Sequence, residues 1–178
     1  LWKVAKGTLE NGFGLWYHDL MNIRPLKETD RERLREILIA TRVFTQEEIA
    51  VAMELIDIVL GDRDQEDYTI HCLVDDRDHP LGYVCYGRAP MTQGTYDLYW
   101  IAVHPQWQKQ GLGSRLLAFV EEQVRFLGGR MILVETSSIP SYQETQRFYE
   151  LHGFKEVGRL PDYYSVGNDR ITYCKRLR

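Results

Sequence analysis

Gln108, Gly111, Gly113 and Ser114 stand together in one short polar run, Gln108-Lys109-Gln110-Gly111-Leu112-Gly113-Ser114. Two glycines one residue apart let a backbone approach a ligand with no β-carbon in the way. Apolar residues at helical spacing follow at once: Leu112, Leu116, Val120 and Val124, with Leu117 and Leu127 expected on the same side. The glycines therefore sit where a helix opens. The first N–H groups of a helix lack internal acceptors, and that end carries roughly half a positive charge. A diphosphate suits such a turn. A plain strand-to-helix turn would use the same residues.

The run is positioned by a strand before it and the helix after it. Asp97 to Val103 reads as a central strand, apolar or aromatic on both faces. Strict alternation would put Asp97, Tyr99, Ile101 and Val103 on one face and Leu98, Trp100 and Ala102 on the other. Pro105 cannot donate to a ladder, so the strand should stop near it. Other phosphate-binding motifs do not fit. GxxxxGK[ST] is absent, and a GxGxxG fingerprint fails because Leu116 holds the third glycine's place.

The stretch resembles the acyl-CoA-binding motif of the GNAT superfamily, the acetyl-CoA-dependent N-acetyltransferases. The family pattern is Gln/Arg-x-x-Gly-x-Gly/Ala, commonly after Val-x-Pro. Here Val103-His104-Pro105 leads into Gln108-x-x-Gly111-x-Gly113. A second element, Phe148-Tyr149-Glu150-Leu151-His152-Gly153-Phe154, is similar to the family's Tyr-x-x-x-Gly-Phe. Two motifs in this order are more specific than either alone, and the resemblance runs from about Asn22 to the C-terminus.

Composition bounds the alternatives. The chain has 178 residues, 44% of them hydrophobic, enough for one domain with a sizeable core. A net charge of −4 gives no electrostatic footprint for nucleic acid and is compatible with a cationic acceptor. The sequence contains no apolar run of membrane-spanning length, and its start is unlike a signal peptide. Cys72, Cys85 and Cys174 lie in strand-like segments without a CxxC pair, which reads as free thiols in a reducing cytoplasm; a Cys72–Cys85 cross-strand bridge is the other reading. Residues 1–20, with three glycines among aromatics, are expected to be an extension or the remnant of an upstream segment, and residues 21–178 the acetyltransferase domain.

The rest of the chain supplies the other elements. Asn22–Leu26 is a short strand. Thr29 or Asp30 can cap a helix whose buried stripe is Leu34, Ile37 and Leu38. Thr45 and Glu48 resemble a capping box, opening a helix with Ile49, Met53, Ile56 and Leu60 on one face and Gly61 at its end. Tyr68–Val74 and Leu81–Arg88 read as a hairpin across a polar turn in which Asp78 and His79 are solvated residues. Gly128-Gly129 ends the helix after the glycine turn. Met131–Glu135 is a strand, a helix ends at His152-Gly153, and Phe154–Val157 and Ile171–Cys174 are the last strands. The order β-α-α-β-β-β-α-β-α-β-β implies, by resemblance, the α/β GNAT fold: a central mixed β-sheet flanked by helices, with two central strands splayed.

The resemblance also assigns roles. Acetyl-CoA would enter between the splayed strands 97–103 and 131–137, its pantetheine on the backbone of Ile101, Ala102 and Val103. Its diphosphate would lie on the amides of Gln108, Lys109, Gln110, Gly111, Leu112, Gly113 and Ser114, with Phe148 near by. Tyr149 matches the tyrosine that protonates the leaving thiolate. Asp97 corresponds to the general-base glutamate of the histone-acetyltransferase branch, as base or ammonium ligand, with Glu135 as a rival. Many relatives place Asn and Ala where this chain has Tyr142 and Thr145, so Thr145 or Ser141 would replace the usual Asn contact. Tyr163-Tyr164 resembles the Tyr-Tyr loop of protein N-terminal acetyltransferases. With Tyr86, Tyr99 and Trp100 it would form an aromatic wall favouring a cation. The acceptor is then a small-molecule amine or a protein N-terminus, without nucleic acid, membrane or metal. A homodimer is compatible, since relatives are commonly dimeric. The competing readings are a non-catalytic CoA-binding module and a plain interaction domain.

Overall fold

The computed structural model of the chain describes residues 21–62 and 64–177. The proposed extension, residues 1–20, lies outside the described residues. The strands are β1 (Asn22–Pro25), β2 (Thr69–Val74), β3 (Pro80–Arg88), β4 (Thr95–Val103), β5 (Met131–Ser137), β6 (Lys155–Ser165) and β7 (Asn168–Arg176). The helices are α1 (Arg31–Thr41), α2 (Gln46–Gly61), α3 (Leu112–Phe126) and α4 (Gln143–Leu151). The strands make a seven-stranded sheet in the order β1-β2-β3-β4-β5-β7-β6. Only β4 and β5 run parallel; the other neighbours are antiparallel. The expected order of elements and mixed sheet are present.

Each face of the sheet buries its own core. On one side Leu34, Ile37, Leu38, Ile49, Met53 and Ile56 of α1 and α2 pack against Ile70, Cys72, Tyr83, Cys85 and Ala102. On the other, Leu112, Leu116, Leu117, Val120 and Val124 of α3 pack against Val84, Tyr86, Leu98, Val103, Ile132 and Val134. Leu127 does not join that stripe. It is 57% exposed, because α3 stops at Phe126 and the chain turns through Gly128 at φ +75°.

Strict alternation along β4 is wrong. Val84, Cys85 and Tyr86 oppose Ile101, Trp100 and Leu98, so Tyr99 is an extra residue in a β-bulge. The bulge reverses the parity. Tyr96 and Leu98 before it share the α3 face with Ile101 and Val103 after it, while Trp100 and Ala102 face α1 and α2. Tyr99 is left 37% exposed, with its ring 5.2 Å from Tyr68.

Local signals explain the helix starts. Thr45 Oγ1 accepts from Glu48 N–H at 3.1 Å, and Glu48 Oε2 accepts from Thr45 N–H at 2.7 Å, the expected reciprocal box. Asp30 does not cap α1 with its side chain. Its buried carboxylate accepts from Lys27 N–H at 2.8 Å and from the Arg24 guanidinium at 2.7 and 2.9 Å. Arg24 and Lys27 also bind Asp78, so this turn residue is ion-paired. Cys72 opposes Tyr83 and Cys85 opposes Ile70, so the two thiols are not cross-strand partners; both are free. β6 and β7 outrun the short strands expected there. Every β6 residue is exposed, so the sequence carried no burial pattern to read. Among the described residues no helix is long and apolar enough to cross a membrane.

Leu116 is fully buried under the sheet. Leu116→Ala should destabilise the fold by about 2–5 kcal/mol, read from the urea unfolding midpoint.

Candidate active site

The parallel pairing of β4 with β5 covers only Thr95–Met131, Tyr96–Ile132 and Asp97–Leu133. Beyond that rung β5 continues along β7 as far as Ser137, and β4 continues along β3 as far as Val103. The two strands thus part, and each has an edge facing the gap. Open depressions of about 400 Å³, between β1 and α3, and 580 Å³, around Asp30, Asp78 and Trp107, lie elsewhere; neither is lined by a gap residue.

The glycine turn stands at the end of β4. Lys109 and Gly111 are left-handed, at φ +60° and +80°. The first helical hydrogen bond of α3 runs from Arg115 N–H to Gly111 O at 3.0 Å, so Leu112, Gly113 and Ser114 N–H have no acceptor within the helix. A β-carbon on Gly113 would sit 3.4 Å from the Phe148 ring, which therefore walls the turn; one on Gly111 would meet nothing within 4 Å. Gln108 is exposed, and its side chain folds back on the strand end, Nε2 donating to Val103 O at 2.9 Å. That bond ties the turn to the strand end. Lys109 and Gln110 are exposed, and Gln110 Nε2 donates to Gln106 O at 3.1 Å.

On the α1–α2 side of the gap lie carboxylates and phenols. Asp97 is half-buried at the last shared rung. Burial raises its carboxyl above the ordinary carboxylate value, and the charge of Glu135 adds to the rise. Glu135, exposed on β5, lies 3.6 Å from the Arg170 guanidinium. Burial first, and then Glu135, pushes the Tyr164 phenol up. Burial and Asp97 likewise push Tyr99 up to about 12. Tyr99 and Glu135 thus neighbour Asp97, and Tyr164 neighbours Glu135. Tyr163 and Tyr164 belong to β6 itself, not to a loop, and Tyr163 stacks under Arg170 at 4.5 Å. Tyr86 is not part of an aromatic wall here. It is 2% exposed on the opposite face, where it stacks on His71. Trp100 packs on Phe44, in the joint between α1 and α2.

On the α3 side Tyr149 is 5% exposed, and burial holds its phenol well above the ordinary value. Phe148, Phe154 and Tyr173 surround its ring at 5.4, 5.5 and 6.3 Å. Ser141 is exposed in the turn before α4, and Thr145 is half-buried on α4.

Two contacts escaped the sequence reading. Tyr142 is buried, and its hydroxyl donates to Glu48 Oε1 at 2.6 Å, fastening the start of α4 to the start of α2. His152 bridges Ser114 and Phe148. A tyrosine in the place of the family asparagine flagged the first position; nothing in the sequence flagged its partner.

The acetyltransferase (GNAT) domain family matches residues 66–156, about half of the chain. The chain belongs to the GNAT superfamily. A protein from Desulfovibrio desulfuricans assigned to the GNAT acetyltransferases has 42% identity and a TM-score of 0.83, over 89% of this chain and 99% of that one. More distant GNAT folds include an aminoglycoside 6′-N-acetyltransferase complexed with coenzyme A, with 19% identity, TM-score 0.67 and coverage of 88% and 97%. The ribosomal-protein-S18-alanine N-acetyltransferase of Escherichia coli has 22% identity, TM-score 0.66 and coverage of 88% and 94%. No curated protein sequence matches the chain. The parted strands, glycine turn and buried α4 tyrosine are thus set in a GNAT acetyltransferase domain.

Tyr142→Phe leaves the Thr45–Glu48 box in place but removes a bond to a carboxylate. It should cost about 1.5–3 kcal/mol of stability, read by reversible thermal unfolding.

Proposed function

We propose that this GNAT domain moves an acetyl group from acetyl-CoA to a primary amine by direct attack. The observation that carries this reading is the end of β4–β5 pairing at Asp97–Leu133, directly upstream of the glycine turn. The residues present fit the donor. The edge of β4 over Ile101, Ala102 and Val103 would pair with the pantetheine amides, the Val103 carbonyl already accepting from Gln108. The uncapped N–H groups of α3 would receive the diphosphate, the turn from Gln108 to Ser114 wrapping it. Gly113 keeps the backbone bare beside Phe148, whose ring an added β-carbon would touch at 3.4 Å. When bound, acetyl-CoA supplies the thioester carbonyl that the amine attacks.

The chain's own residues then move protons. An alkylamine has a reference pKa of about 10.4, so near neutrality it arrives mostly as the ammonium. Asp97 takes its proton, directly or through water. The raised Asp97 pKa makes it a better base than an ordinary aspartate, and it works only above that pKa. Tyr149 donates to the departing sulfur. Its raised pKa keeps the phenol protonated at neutral pH, as an acid requires. Glu135, Tyr99 and Tyr164 hold the cationic acceptor. A small-molecule amine and a protein N-terminus are the two acceptor classes. Free thiols accord with action in a reducing cytoplasm, and the exposed edge strand β6 leaves room for a homodimer.

Thiol release from acetyl-CoA over a panel of both amine classes tests the reading. One class should be turned over. Binding of CoA without turnover of any amine would favour a non-catalytic CoA-binding module instead. Tyr149→Phe should lower kcat about 100-fold or more, the usual worth of a general acid. Unchanged turnover would remove that role. Activity should fall as pH drops through the raised Asp97 pKa, because the carboxylate is lost. Asp97→Asn should abolish this acid limb and most of kcat, whereas Glu135→Gln should chiefly raise KM for the amine.

A further inference from the structure

His152 closes the second motif and touches the first. Its Nδ1 lies 2.7 Å from Phe148 O and its Nε2 lies 2.8 Å from Ser114 Oγ, with the ring 4.3 Å from that of Phe148. A carbonyl oxygen can only accept, so Nδ1 carries a proton. In the neutral ring Nε2 is then an acceptor, and the Ser114 hydroxyl must donate to it. Ser114 is the third residue of α3, within the turn of uncapped N–H groups. Its only hydroxyl proton is therefore turned away from that turn, which receives lone pairs alone. Lone pairs repel an anion.

An imidazolium reverses this arrangement. Nε2–H then donates to Ser114 Oγ, and the hydroxyl proton is free to point into the turn. We propose that His152 is a positioning residue for the donor's diphosphate, acting through the Ser114 hydroxyl, and that it takes up a proton when the donor binds. The inference rests on the diphosphate occupying the glycine turn. The proton comes from solvent, and no covalent bond other than Nε2–H is made.

Other charged groups stand on the surrounding elements, Arg147 of α4 and Lys155 of β6 exposed among them. Glu121 of α3 is paired with Lys175 of β7 and with Arg125. Glu150 of α4 accepts from the Tyr173 hydroxyl at 3.1 Å, and the Arg115 guanidinium donates to Met21 O. Lys109 is exposed on the glycine turn itself, and its charge adds to the pull on an anion without contacting the imidazole in the described structure.

Calorimetric titration of the full chain with CoA at pH 7, in two buffers of different ionisation enthalpy, measures the protons taken up. Subtracting the same titration of His152→Gln cancels the titration of CoA's own phosphates. The wild type should take up more protons than either His152→Gln or Ser114→Ala, and His152→Gln should bind CoA about fivefold more weakly, the worth of one hydrogen bond. Nitrogen-15 NMR of the wild type reads the ring without any substitution. The free ring should show protonated Nδ1 and bare Nε2, and the CoA-bound ring should show both protonated. CoA binding with equal proton uptake in wild type and His152→Gln, and a ring unchanged by CoA, would overturn the role of His152 while leaving the donor site standing. Failure of CoA to bind the wild type at all would overturn both.

Discussion

The unsatisfied edge left where β4 and β5 separate is the constraint on which the rest of the structure depends. A strand in the middle of a sheet normally spends its N–H and C=O groups on two neighbours. Here β4 keeps β3 throughout but loses β5 after Asp97. The fold tolerates the loss because β5 is held from its other side by β7 along its whole length. Two cores, one on each face, keep both strands in place while a gap stays open between them.

The contacts near that gap act in concert. Gln108 pins the glycine turn to the last carbonyl of β4, so the uncapped end of α3 is aimed from a fixed point. Phe148 walls the turn from α4, and the adjacent Tyr149 is buried on the same helix. The bond between Tyr142 and Glu48 joins the start of α4 to the start of α2, so elements on opposite faces of the sheet are tied near its open end. The bulge at Tyr99 turns a phenol outward that alternation would have aligned with Ile101 and Val103.

Electrostatics divides the site in two. The α3 end offers N–H dipoles and Lys109 to an anion. The opposite side carries Asp97 and Glu135 with Tyr99 and Tyr164, and the Arg170 guanidinium lies 3.6 Å from Glu135. Burial first, and then the neighbouring charge of Glu135, raises the Asp97 pKa.

The sequence by itself determined the elements, their order and the chemistry of the turn. Helical spacing from Leu112 to Val124, the Thr45–Glu48 box and the Gly111-x-Gly113 pair depend on neighbours within a few residues, and local rules read them. It could not determine parity along β4, because both faces of that strand are apolar and alternation carries no mark of a bulge. Only the tertiary structure decided that Tyr86 faces away from Tyr99, that Leu127 falls past the helix, that β6 runs exposed to Ser165, and that His152 meets Ser114. Tyr86 owes its face to pairing with Leu98 on the next strand, and His152 meets Ser114 across 38 residues of chain. Proximity of that kind is set by how strands and helices stack, and no local spacing encodes it.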